Sequence, residues 1–276
     1  MKYAAVMVGM ALGQSNEARL DIAGQLAERF GARVIGVAAG EFSPPLYFME
    51  GEPAQRLIDQ GWAAVKKRLA GLEGEFRAAM KNRAAEVEWR CAEDFPMRYI
   101  VQQARACDII VVGEASHGAL TDPVAQVNPS DLVMQAGRPL LVVPDACNWL
   151  DLRNVLVAWK DTSEARRAVS DALPLLRKAT EVTIVEIVED EADRAAALSR
   201  IEDVAAWLSL HGVRASEQLP QQRGDAATQL ERIASEFGAG VVIAGAYGHS
   251  RLREWVLGGV TRRLANPSNR CSLLSH

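Results

Sequence analysis

Slid along itself from Ile109 to Val241, a shift of 132 residues, the chain lays IIVVGEASHGAL (Ile109–Leu120) on VVIAGAYGHSRL (Val241–Leu252). Gly113 falls on Gly245 and His117 on His249. The register continues without a gap, placing Leu132 on Leu264, Arg138 on Arg270 and Leu141 on Leu273. A shared apolar run, glycine and histidine at one fixed offset signal two copies of one supersecondary plan.

Each copy alternates strand and helix patterns. In the first, KYAAVMVGM reads as a buried strand, and Ser15 or Asn16 caps a helix carrying Leu20, Ile22, Ala23, Leu26 and Phe30. Gly31 ends that helix, and ARVIGVAA is the second strand. A loop rich in Pro and Gly leads to a long helix from about Ala54 to Met80. AEVEWRCA, a helix at PMRYIVQQARA, IIVVG, a short helix near Asp131 and PLLVVP complete the copy. The second runs through NVLVAW, a helix from Thr162 to Ala179 with a kink expected at Pro174, EVTIVEIV, a helix from Asp193 to Leu210, VRASEQL, a helix from Ala226 to Phe237, VVIAG, a short helix and SLLS. Five strands alternating with four helices predict right-handed crossovers and a parallel, doubly wound sheet in each copy. The expected fold class is therefore α/β, with domains at 1–146 and 151–276. Ligands of such sheets sit beyond the carboxyl ends of the strands where the winding reverses. The loops after strands one and four are thus the places to look.

Composition narrows the function. The chain has 276 residues, 49% hydrophobic and 24% charged, with a formal net charge of −4. That balance argues against a general nucleic-acid binder. No apolar run reaches the ~18 residues that span a bilayer. MKYAAVMVGMALGQ reads as a buried strand, because an amphipathic helix pattern follows at once. Cys91, Cys107, Cys147 and Cys271 are scattered, with no metal-ligand spacing, and read as buried or incidental thiols of a reducing cytoplasm.

After the fourth strand of the second copy comes GAYGHSRLREWVLGGVTRR, with Gly245, Gly248, Gly258 and Gly259 among Arg251, Arg253, Arg262 and Arg263. Glycines let backbone approach phosphate oxygens, and a helix opening near Gly258 or Gly259 points free amides at an anion. A loop that merely turns is the other reading. No G-K-[ST] and no G-x-G-x-x-G after a first strand is present, which excludes the P-loop and the dinucleotide fingerprint. The repeated His117 and His249 belong to no recognisable nucleophile–base arrangement.

Gly245, Gly248 and Gly258 reproduce the spacing G-x2-G-x9-G. On this spacing and layout the chain resembles a tandem universal stress protein with two UspA-type domains. The resemblance implies an adenine nucleotide alpha hydrolase-like (UspA) fold, paired as an intramolecular pseudo-dimer through the last strands. It implies a cytoplasmic stress-response protein that binds ATP or a related adenine nucleotide without catalysis. The binding residues would be Gly245, Gly248, His249, Gly258, Gly259, Val260, Thr261 and Lys160, with no metal ligand. Nucleic acid and membrane are not expected partners, and further homodimerisation stays open. Three departures qualify this. The family's hydroxyl residue after the third glycine is Gly259 here, with Thr261 two places on. Where nucleotide-binding members carry an Asp, Lys160 stands, followed by Asp161. The first copy has lost the signature, with Ser116 and Gln126 in the glycine positions and Glu114 at the strand end, so it is expected not to bind. A ligand-free scaffold acting through protein partners is the alternative, and a nucleotide-dependent transferase ranks third.

Overall fold

The structure, a computed structural model, describes residues 2–42, 52–114, 127–247, 259–266 and 269–276. The first half runs β1 (Ala5–Gly9), α1 (Glu17–Phe30), β2 (Arg33–Ala39), α2 (Glu52–Met80), β3 (Val87–Ala92), α3 (Pro96–Gln103), β4 (Ile109–Gly113), α4 (Pro129–Ala136) and β5 (Leu140–Val143). The second runs β6 (Asn154–Ala158), α5 (Ser163–Leu176), β7 (Glu181–Val185), α6 (Arg194–Leu210), β8 (Ser216–Gln218), α7 (Ala226–Glu236), β9 (Val241–Gly245), α8 (Gly259–Leu264) and β10 (Cys271–Ser275).

The strands form one sheet in the order β3-β2-β1-β4-β5-β10-β9-β6-β7-β8. Within each half every pairing is parallel, and helices cover both faces. Strands buried on both faces need no alternation, which is why Val6, Met7 and Val8 are all fully buried. The halves meet where β5 and β10 run antiparallel. Leu141 lies opposite Leu273, Leu140 opposite Leu274 and Val142 opposite Ser272. The residue pair related by the repeat offset is thus a cross-strand pair, and a pseudo-two-fold axis passes between its members. One apolar cluster on each face of the sheet runs across this seam, the first including Leu141 and Leu273, the second Val142 and Leu274.

Polar contacts reinforce the seam. The Tyr3 hydroxyl donates to the Asp171 carbonyl in α5 at 2.8 Å. Gln25 of α1 grips the linker at both ends of its amide, donating to the Asn148 carbonyl and accepting from the Leu150 amide, each at 2.8 Å.

Local signals account for the element ends. Gly31 closes α1 in the left-handed region at φ 62°, donating to the Ala27 carbonyl. Asn16 occupies the cap position of α1 but does not cap it. Its side-chain oxygen accepts from the Ala11 amide at 2.9 Å and so closes the preceding loop. α5 ends at Leu176, short of Ala179, with Pro174 inside it. Among the described residues no helix is long and apolar enough to cross a membrane.

Candidate functional site

In the second half the strand order turns at β6, with β7 and β8 on one side and β9 and β10 on the other. The crevice beyond the carboxyl ends of β6 and β9 is the candidate site. Gly245 ends β9 against the first turn of α5. A Cβ on it would lie 2.4 Å from the Ala165 amide nitrogen and 2.6 Å from the Glu164 carbonyl carbon. Backbone cannot yield that far, so glycine is required here by packing, independently of any ligand.

Two residues on, Tyr247 adopts φ 60°, a left-handed conformation unusual for a residue with a Cβ. Its amide points at the Thr261 hydroxyl of α8, at 3.5 Å. Thr261 is buried and Val260 packs against the apolar cluster on that face. Gly259 opens α8 beside the start of α7. A Cβ there would find Asp225 Oδ1 at 3.7 Å and Ala227 Cβ at 3.8 Å, ordinary contacts, so a larger side chain is admissible. The structure therefore gathers Gly245, Gly259, Val260 and Thr261 at the end of β9. Gly248, His249 and Gly258 lie outside the described residues, as do Ser116, His117 and Gln126 of the first copy.

Lys160 follows β6, but its amine sits 3.1 Å from Glu189 Oε1, beyond the end of β7. Both side chains are mostly exposed, so the pair holds Lys160 by at most about 1 kcal/mol. Trp159 packs in the core, its indole N–H buried with no partner. Glu164, in the first turn of α5, accepts from Ser163 through Oε1 at 2.9 Å, while its buried Oε2 has no partner. The main chain of Glu164 lies against Gly245, and its carboxylate offers an acceptor near the end of β6, where Lys160 offers donors only. The residues present thus fit a ligand that offers a hydroxyl to accept from and an anionic group for Lys160.

The equivalent crevice in the first half is filled. Where Gly245 faces Ala165, Gly113 faces Arg19, and a Cβ on Gly113 would fall 2.2 Å from an Arg19 guanidinium nitrogen. Arg19 is only 5% exposed and donates to the Gly9 carbonyl at 3.2 Å. Burial lowers its pKa from 12.5 to about 10, and Asp145 partly opposes that drop. The space left among Gly9, Gln14, Arg19, Gly113 and Glu114 measures about 20 Å³, room for a single water.

Two charged side chains of the second half are buried in ion pairs away from the crevice. Arg270, the repeat partner of Arg138, is 6% exposed and committed to α7, donating to Glu231 at 2.6 Å and Ser235 at 2.8 Å. Glu186, just beyond β7, is 7% exposed, and Arg200 clamps it to Asp193 at 2.7 Å from each. Among the described residues no group of acidic, His or Cys side chains could hold a metal ion. Tyr247, Glu164 and Arg19 were not anticipated from sequence.

Residues 151–272 match the model of the universal stress protein family. In structure the whole chain is similar to a universal stress protein from Archaeoglobus fulgidus, at 15% identity and a TM-score of 0.73, covering 98% of this chain and 95% of that one. It is also similar to a protein of unknown function from Pseudomonas aeruginosa, at 13% identity and a TM-score of 0.60, covering 99% and 92%. At such identities the likeness speaks for the fold alone. It makes the architecture a duplicated UspA-type fold over nearly the full chain. No curated protein matches.

Proposed function

We propose that the chain is a cytoplasmic tandem universal stress protein whose second half binds one adenine nucleotide, or a related phosphorylated ligand, without turning it over. The observation that carries this reading is the exchange of Arg19 for Ala165 at equivalent places. A buried guanidinium fills the first crevice, while in the second the same position holds a methyl group and leaves an unpartnered Glu164 oxygen. The family match of the second half supports it. In the bound state Lys160 would leave Glu189 for a phosphate, and Glu164 Oε2 would accept a ribose hydroxyl.

Titration calorimetry of the full chain with ATP tests this. Saturable binding is expected, with Lys160→Ala weaker and less salt-dependent. Gly259→Ser restores the hydroxyl of the family signature at an open position and should tighten binding by about fivefold, the worth of one ~1 kcal/mol hydrogen bond. No heat from any of the three proteins would contradict the proposal.

One observation favours a second reading. Gly245 is needed for β9 to pack on α5 whether or not a ligand binds. A scaffold that keeps its glycines for geometry alone would give that silent titration.

A further inference from the structure

The antiparallel seam brings two cysteines into contact that are 124 residues apart in sequence. Cys147 lies in the linker beyond β5, its amide donating to the Pro144 carbonyl at 2.9 Å. Cys271 is the first residue of β10. Their sulfurs are 3.6 Å apart, within a thiol hydrogen bond and about 1.6 Å beyond a disulfide bond length. The environments differ. Cys271 is fully buried, whereas Cys147 is partly exposed and flanked by exposed Asp145, Ala146, Asn148 and Trp149. An oxidant from solvent therefore meets Cys147 first, with Cys271 waiting behind it.

We infer that Cys147 and Cys271 form a reversible thiol–disulfide centre, with Cys147 the nucleophile toward a hydroperoxide and Cys271 the resolving thiol. The Cys147 thiolate attacks the terminal oxygen of the hydroperoxide. The S–O bond forms, the O–O bond breaks, and the departing alkoxide or hydroxide takes up, through solvent, the proton that the Cys147 thiol released on ionising. Cys147 is then a sulfenic acid. The Cys271 sulfur attacks it, the S–S bond forms, and hydroxide leaves with the Cys271 proton as water. Two thiols thus lose two electrons to the peroxide, giving one disulfide, one alcohol or water, and one further water.

The polarity of the pair supports these roles. The contact with the Cys271 sulfur draws the Cys147 pKa down to about 7, against its partial burial and the nearby Asp151 carboxylate, and the Cys147 thiol has a second partner in the Trp149 carbonyl at 3.4 Å. The same contact, with burial, drives the Cys271 thiol well up, so of the two sulfurs the more exposed Cys147 is the one that ionises more readily. A thiolate is the reactive species in such oxidation. Cys107, by contrast, is buried and pushed up to about 12.

The inference does not rest on the ligand reading. Its test uses the full-length reduced chain treated with one equivalent of hydrogen peroxide. Free thiols should fall from four to two. Peptide mapping should find Cys147 joined to Cys271. The thermal midpoint should rise by on the order of 5 °C, because the bond closes nearly the whole second half into a loop. Reductant should reverse all three. Cys271→Ala should stop at a Cys147 sulfenic acid that dimedone traps, and Cys147→Ser should keep its remaining thiols. Retention of all four thiols in the native protein, or oxidation that maps to Cys91 or Cys107, would overturn the proposal without reference to any variant's folding.

Discussion

At Arg19 a charge is held inside the protein against its own desolvation. A fall from 12.5 to about 10 corresponds to about 3 kcal/mol against the charged form. Below pH 10 that penalty is constant. Between pH 10 and the unfolded value the unfolded chain holds more protons, so this residue's contribution to stability rises with pH. Arg19→Met keeps most of the volume and removes the charge. It is expected to stabilise the protein by about 1–3 kcal/mol in urea unfolding at pH 7. A loss exceeding 1 kcal/mol would mean that the bond to the Gly9 carbonyl outweighs desolvation. Gly245, the one signature glycine among the described residues, and Gly259, which follows the third, should part company in the same assay. Gly245→Ala forces a Cβ into the backbone of α5 and is expected to cost on the order of 1–3 kcal/mol. Gly259→Ala meets only ordinary contacts and should stay within about 0.5 kcal/mol. In the sequence these glycines look alike. Arg19 reads there as a polar residue between Ala18 and Leu20. Its burial comes from its place opposite Gly113, which a helical pattern does not convey. Glu164 was hidden in the same way, because an exposed-looking first-turn acid gives no sign of an orphaned oxygen.

At the level of elements, the seam is the feature most dependent on register. β5 is four residues long and β10 five, and three of their residue pairs face each other. Leu141 and Leu273 are both fully buried, so truncating either to alanine is expected to cost about 2–5 kcal/mol. Because each faces the other, the double variant should cost less than the sum of the singles. Equal additivity in denaturant unfolding would argue that the strands are held by their own halves alone. Amide exchange gives a second check. The β5 and β10 amides should be among the slowest in the chain, since in this fold the seam strands open only with the sheet. The strands themselves were legible because buried parallel strands are short apolar runs bounded by glycine and turn residues. The repeat offset supplied the rest, since it relates Leu141 to Leu273. β8 was the least legible, being three exposed residues, Ser216–Gln218, at a sheet edge. The contact of Cys147 with Cys271 was illegible, because it exists only once β5 and β10 meet.

At the scale of the whole molecule, duplication has given one sheet, two apolar layers that cross its centre, and two unequal crevices. The symmetry holds in the order of the strands and is broken in the side chains. Arg19 and Glu114 line one site, while Ala165 and Glu164 line the other, with Lys160 at its rim. Shared layers predict that the halves unfold together. Fluorescence and far-ultraviolet circular dichroism should report one coincident transition in the reduced protein. Two separated transitions would mean that the seam is weaker than its burial indicates. The broken symmetry makes a sharper statement about stoichiometry, which calorimetry or equilibrium dialysis of the full chain against ATP reads directly. The account predicts saturation at one nucleotide per chain, unchanged in number by Arg19→Met and weakened by Lys160→Ala. Saturation at two per chain, or affinity lost with Arg19→Met and untouched by Lys160→Ala, would place the ligand in the first half and contradict it.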